Sequence, residues 1–278
     1  MSVIMALFLG LVQGIAEFLP ISSSGHLAIL QNLFNMDYSE ENHLLFDVLL
    51  HLGTLVAIVA VYRAEIKEMI TDGVEYLRLK SDSHADEPVV LKPPGRALLF
   101  IIIGTLPLFV FFFIPASRLF FNTYFIGFAL IITGCLLFVS SRYIKEGNKT
   151  DKTMTLTDAI LIGLAQAVAV FPGLSRSGTT ISVGLARGLT RSFAVRFSLL
   201  LSIPAVVGAT IVAIYNAISG GADFSLLPTY LAGFVVAAGV GYFAIQLLRR
   251  LMASGQFGNF AYYCWGLGII TLIWSLFR

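Results

Sequence analysis

Glu17, Ser23 and His26 fall within ten residues of one another in the otherwise apolar stretch QGIAEFLPISSSGH, and Arg176 stands in a second such stretch, PGLSRSGTT. A carboxylate, a hydroxyl, an imidazole and a guanidinium are the parts that phosphoryl transfer needs, since that chemistry is mostly positioning plus stabilisation of charge. The two stretches are copies of one motif. At an offset of 153 residues, the segment from Gly10 aligns without gaps to the segment from Gly163, sharing Gly10/Gly163, Leu11/Leu164, Gln13/Gln166, Ala16/Ala169, Phe18/Phe171, Ser22/Ser175, Ser24/Ser177 and Gly25/Gly178. A motif present twice implies a site built where two halves meet. Glu17 and His26 belong to the first copy alone, Arg176 to the second.

Each residue type has a role and a blander reading. A carboxylate inside a membrane costs about 2.5–3.5 kcal/mol on insertion scales and persists only with a partner. Gln13, one helical turn before Glu17, offers an amide oxygen, and the two could hold a divalent cation through hard oxygen ligands. A buried ion pair between Glu17 and Arg176 is the alternative. His26 serves as acid, base or attacking group, or simply packs. Ser23 is the best hydroxyl candidate for nucleophile, although a helix cap would look the same in sequence. Ser22, Ser24 and Gly25 in one break, and Ser175, Ser177, Gly178, Thr179 and Thr180 in the other, suit helix N-termini whose free N–H groups bind phosphate. Asp47 and His51, spaced i, i+4, orient His26, shape the site's mouth, or are simply an exposed pair at a helix start.

The elements that must position these residues follow from composition. With 57% hydrophobic residues, 12% charged and a mean hydropathy of +0.86, the chain is a polytopic membrane protein. A net charge of +2 is too small to suggest nucleic acid, and no P-loop, CxxC or HExxH motif is present. Cys135 and Cys264 sit in apolar runs and read as free thiols. No Lys or Arg precedes Arg63, so a cleaved signal peptide is not expected. Six stretches reach the ~20 apolar residues that a spanning helix needs: about 44–63, 96–115, 122–143, 195–216, 227–248 and 258–277.

Fifteen of the 18 basic residues fall in four loops, around 63–96, 142–152, 187–196 and 249–250. The positive-inside rule makes these loops cytoplasmic and both termini external. Basic loops flank the second motif on both sides, so the segment between them enters from the cytoplasm and returns, a re-entrant hairpin of two half-helices. Three crossings separate the copies, so the first hairpin enters from the external face. The expected fold is therefore an all-α polytopic membrane protein, a single membrane domain over residues 1–278. It is an inverted-topology repeat of six transmembrane helices and two re-entrant helical hairpins, with repeats of about 1–143 and 155–278. Phe46, Leu49, Leu50 and Val56 match Phe197, Leu200, Leu201 and Val207 at an offset of 151, in support of the pairing. The mixed-charge stretch from Glu65 to Lys92 reads as a solvated helix pair, while His43 and His84 read as loop residues. The Phe-rich run Phe109, Phe111, Phe112 and Phe113 is a candidate wall for a lipid tail, and ordinary lipid-facing packing explains it equally well.

At these residues the chain resembles the bacterial undecaprenyl-pyrophosphate phosphatases associated with bacitracin resistance. Their first signature, Glu or Gln four residues ahead of a Glu, is met by Gln13 and Glu17. Their second, PGxSRSxxT, is met by Pro172 to Thr180. The resemblance implies hydrolysis of undecaprenyl pyrophosphate to undecaprenyl phosphate and inorganic phosphate, recycling the lipid carrier of cell-wall synthesis in the bacterial cytoplasmic membrane with Mg²⁺ or Ca²⁺ assisting. It carries Glu17, Ser23, His26, Arg176 and Thr180 forward as functional residues. Gln13 makes the weaker metal ligand, because members with Glu there have a second carboxylate. Membrane lipids and a polyprenyl pyrophosphate are the expected partners, and a homo-oligomer is left open. An inverted repeat also suits a transporter or flippase of the lipid carrier, which would bind phosphate without breaking it.

Overall fold

The computed structural model describes residues 1–34, 40–81, 91–111, 122–220 and 224–277. His84, Phe112, Phe113 and Arg118 lie outside the described residues, as do the side chains of His43 and Phe111. The described chain is almost wholly helical, and six helical segments are long and apolar enough to cross a membrane: Leu45–Lys80, Pro93–Val110, Thr123–Tyr143, Arg191–Gly220, Leu227–Ala253 and Gln256–Leu276. The protein is a multi-pass membrane protein.

Two helix pairs, α1 (Val3–Ala16) with α2 (Ser23–Leu33) and α7 (Leu156–Val168) with α8 (Arg176–Ala186), carry the two motif copies. None of the four is long enough to span. The remaining helices are α3 (Glu40–Ser81), α4 (Pro93–Thr105), α5 (Leu108–Phe111), α6 (Thr123–Tyr143), α9 (Arg191–Gly220), α10 (Leu227–Ala253) and α11 (Phe260–Leu276). Helix α3 bends at Tyr62, whose φ of −107° and ψ of 20° lie outside the helical range, and then runs on to Ser81. The stretch from Glu65 to Ser81 is thus the continuation of a crossing helix and not the start of a separate helix pair.

The helices of the two motif copies begin at the sequence offset itself: α1 and α7 start 153 residues apart, as do α2 and α8. Packing also comes in twos. Helix α1 lies on α10 and α7 on α4, while α3 packs on α10 and α9 on α4. The α1–α10 contact is close because a Cβ on Gly10 would fall 2.4 Å from the Gly233 carbonyl oxygen. At the α7–α4 contact, a Cβ on Gly163 would fall 2.3 Å from that of Gly104. Small residues let backbones touch where lipid supplies no hydrophobic drive between helices. The shared core, with Phe18, Ile58, Phe197 and Ile162 fully buried, draws on both halves. Large side chains such as Phe243, Ile211 and Val110 face outward, where lipid replaces water. The cysteines are free, Cys135 on the outer surface and Cys264 buried.

Candidate active site

The two helix breaks meet. A Cβ on Gly25, in the first turn of α2, would lie 3.1 Å from the Cα of Gly173 in the second break. Gly173 itself has a φ of +89°, a conformation that strains any side chain, and a Cβ there would also press on the Ile126 carbonyl at 2.7 Å. This is why PGLSRSG needs its glycine. Thr133 of α6 fixes the same turn: its hydroxyl donates to the Gly173 carbonyl at 3.0 Å and accepts from the Ser175 N–H at 3.1 Å. Ser22 and Ser175 are N-caps, accepting from the N–H of Gly25 at 3.2 Å and of Gly178 at 3.1 Å. The cap reading of these two serines is therefore met, and it costs nothing in function, because capping points the helix N-termini toward the junction.

Glu17 stands at that junction with a side chain only 6% exposed. Its Oε2 accepts from Ser23 Oγ at 2.6 Å and from Gln13 Nε2 at 3.0 Å, and its Oε1 accepts from Arg176 Nη2. Ser23 and Arg176 occupy equivalent positions of the two copies, the first residue of α2 and of α8. The repeat thus carries a hydroxyl and a guanidinium to opposite sides of one carboxylate. The alternative of a buried ion pair is correct as far as it goes, but the pair also holds a serine proton. His51 joins from α3, its Nε2 at 3.5 Å from Glu17 Oε2. Its Nδ1–H donates to the Asp47 carbonyl at 2.7 Å, so a proton on Nε2 would make it a second cation beside Glu17. Asp47 is tied to α2 through Gln31, whose Nε2 donates to Oδ1 at 2.9 Å. His51 therefore faces Glu17 and not His26, while Asp47 offers it a backbone carbonyl and turns its carboxylate to Gln31.

His26 faces elsewhere. Its Nδ1–H donates to the Ser22 carbonyl at 2.7 Å, which leaves Nε2 as the acceptor of the Tyr263 hydroxyl at 2.7 Å. The two rings stack with centroids 5.7 Å apart. Ser22 turns its carbonyl there by adopting φ 69° and ψ 94°, the sole positive φ outside glycine among the described residues. Such strain costs about 1–3 kcal/mol and persists where the surroundings enforce it. In the second copy, Thr180 is committed to structure: its hydroxyl bonds the Arg176 carbonyl at 2.8 Å and pairs with Ser198 of α9 at 2.5 Å. Ser24 pairs with Ser22 at 3.4 Å and Ser177 with Ser175 at 3.3 Å, while Thr179 is half-buried on the first turn of α8.

Two buried polar atoms at the junction have no partner: Gln13 Oε1 and Arg176 Nη1. One is an oxygen acceptor beside a carboxylate, the other a cationic donor. Gln166, the counterpart of Gln13, is equally buried, but Val170 replaces the glutamate and neither amide atom is bonded. Among the described residues no group of three or more His, Cys, Asp or Glu could hold a metal by itself. Gln13 Oε1 and a Glu17 oxygen are hard donors that would suit a divalent cation only within a set completed by other oxygens, such as those of a phosphate. Of the residues singled out in the sequence, Gln13, Glu17, Ser23 and Arg176 come together in space, while His26 turns to Tyr263. Sequence reasoning missed Tyr263, Thr133, Gln31 and Ser198, which are ordinary residues of apolar helices with no local signal.

These elements define a multi-pass helical membrane protein with an acid–hydroxyl–guanidinium centre where two helix breaks meet. The chain belongs to the family described as "Bacitracin resistance protein BacA", whose profile matches residues 6–270. It is 41% identical over 277 residues to the undecaprenyl-diphosphatase of Carboxydothermus hydrogenoformans, covering 96% of this chain and 95% of that one. To the undecaprenyl-diphosphatase of Methanosphaera stadtmanae it is 39% identical, with 99% of each chain covered. To undecaprenyl-diphosphatase 1 of Shouchella clausii it is 38% identical, covering 99% and 97%.

Proposed function

We propose that this protein is an integral membrane phosphatase that hydrolyses undecaprenyl diphosphate to undecaprenyl phosphate and inorganic phosphate, returning the lipid carrier to cell-wall synthesis. The observation that carries the reading is the triad at the junction: Ser23 donates to Glu17, and Glu17 is held by Arg176. A serine hydroxyl bonded to a carboxylate is a nucleophile with its base in place. Ser23 Oγ attacks the terminal phosphorus as its proton passes to Glu17 Oε2, and the bond to the bridging oxygen breaks to release the lipid monophosphate. The lipid monophosphate leaves with that proton, which frees the Glu17 carboxylate. Water then attacks the phosphoserine phosphorus, its proton passing through Glu17 to Ser23 Oγ as the P–Oγ bond breaks and inorganic phosphate departs. Arg176 holds the phosphates through its free Nη1, aided by the N–H groups of the α2 and α8 N-termini. His26, oriented by Ser22 and Tyr263, is the second proton carrier.

Gln13 Oε1 and Glu17 would hold a divalent cation together with phosphate oxygens. Such an ion, when bound, neutralises charge on the diphosphate. The protein lies in the bacterial cytoplasmic membrane, with α1 and α2 as the hairpin entering from the external side and the site opening there. The distribution of basic residues supports that orientation. The transporter reading gains no observation, since a nucleophile with its base is superfluous to transport.

The test is inorganic phosphate release from undecaprenyl diphosphate by purified protein in detergent, with and without EDTA, alongside Ser23→Ala, Glu17→Gln, His26→Ala and Arg176→Ala. Release that requires a divalent cation and is abolished by the first, second and fourth substitutions is expected. No release by folded wild-type protein would overturn the assignment.

A further inference from the structure

Away from the site, at the basic end of the bundle, α3, α9, α10 and the 144–155 connection line a half-open cleft of about 720 Å³ between the Tyr62 bend and the α10 C-terminus. Four arginines line it: Arg191, Arg196, Arg249 and Arg250. Arg191 and Arg196 reach carboxylates only loosely, Glu146 at 3.5 Å and Asp151 at 3.7 Å. Arg249 and Arg250 have no carboxylate within 4.0 Å among the described residues. Glu65 is the remaining acidic group on the wall, so the cleft holds one excess positive charge.

A second hollow, of about 580 Å³, runs along the outer face of α10 against α1 and is walled by Ile15, Leu19, Val240, Phe243 and Leu247. The two adjoin, since Gln246 and Arg250 line both. Between Val240 and Arg250 the helix rises about 15 Å, the length of a substantial part of one acyl or prenyl chain. Arginines at the end of a spanning helix ordinarily need only water and lipid headgroups around them. Here they line a half-open cleft whose volume is within the range of small-molecule sites, and an apolar hollow adjoins it on the outward face of α10.

We propose that this compound hollow binds one phosphate-headed lipid from the basic-side leaflet, its head among Arg196, Arg249 and Arg250 and its chain along Val240, Phe243 and Leu247. Basic pockets between membrane helices on the cytoplasmic side recognise anionic headgroups in this way. The site is separate from Glu17 and Ser23, so occupancy does not compete with hydrolysis. Because the cleft touches the bend at Tyr62, on the helix that also carries His51, a bound lipid would brace α3.

The test is native mass spectrometry of the detergent-purified protein with phosphatidylglycerol, with phosphatidylcholine of the same chains, with a polyprenyl monophosphate and with inorganic phosphate alone. The wild type should retain one anionic lipid under activation that strips phosphatidylcholine. The Arg249→Gln/Arg250→Gln double variant should lower that retention on the order of tenfold or more, while Arg142→Gln, at the same end but outside the cleft, should leave it unchanged. Hydrolysis of diphosphate substrate by the double variant should match wild type. Preference for phosphatidylglycerol or for the polyprenyl monophosphate identifies the source, and either supports the site. Equal retention of phosphatidylcholine, unchanged retention by the double variant, or retention of inorganic phosphate with no gain from the lipid chain would each overturn it.

Discussion

A carboxylate 6% exposed inside a membrane bundle survives because Ser23, Gln13 and Arg176 donate to its two oxygens, and Arg176 supplies the charge. Removing one partner therefore exposes the cost of the other. Arg176→Ala should destabilise the fold by about 3–5 kcal/mol, because Glu17 is left buried and unpaired. The Glu17→Gln/Arg176→Ala double variant, set beside wild type and the two single variants, should regain most of that stability while remaining inactive. Thermal unfolding of the four proteins in one detergent measures the cycle, and additive losses would show that the pair is not coupled. Arg176→Lys isolates a finer point. It keeps the charge but lacks the second nitrogen whose unbonded N–H is free for phosphate, so activity should fall with little change in stability.

Among the elements, the α1–α10 and α7–α4 crossings are the rigid props of the two breaks. Gly10→Val and Gly163→Val should each force the backbones apart, since the added Cβ would overlap a carbonyl oxygen at 2.4 Å and 2.3 Å respectively. Both should lower the unfolding temperature and activity together, whereas Gly266→Ala, with nothing within 4 Å of its Cβ, should change neither. The start of α7 is anchored differently. Asp158, fully buried, accepts from Lys149 at 2.8 Å, from Thr155 at 2.9 Å and from Arg187 at 2.9 Å, joining the 144–155 connection to the end of α8. Burial by itself would raise its pKa, but the Lys149 ammonium, the Thr155 bonds and the Arg187 guanidinium outweigh burial and bring it from 3.8 down to about 2. A lowered folded-state pKa means stability present above the unfolded value and lost as pH falls through the folded one. The wild type should thus lose stability between pH 3.8 and about 2. Asp158→Asn should be less stable at neutral pH and lack that part of the acid limb in unfolding scans.

For the molecule as a whole, the basic loops set the orientation, and orientation decides from which side substrate arrives. In a Cys135→Ser background, Asp37→Cys, which lies outside the described residues, should react with a membrane-impermeant maleimide on intact cells, and Lys145→Cys only after lysis. The reverse pattern would invert the proposed topology. The six spans, the two motif copies and their common offset were legible because hydropathy and Gly–Ser breaks are local properties of the chain. The long run of α3 past Glu65 was not, because its mixed charges resemble a solvated helix while its Tyr62 bend is set by packing.

The sequence by itself determined that this chain resides in a membrane, that it carries one motif twice, and that Glu17, Ser23 and Arg176 are its chemically expensive residues. Those conclusions follow from the cost of burying polar groups in an apolar run, which needs no coordinates. Only the tertiary structure decided which partners meet. It set Ser23 and Arg176 on the same carboxylate, turned His26 to Tyr263, and gave His51 to Glu17. Those contacts join residues up to 237 apart, across helices whose facing is fixed by Gly–Gly crossings, and no spacing along the chain encodes them.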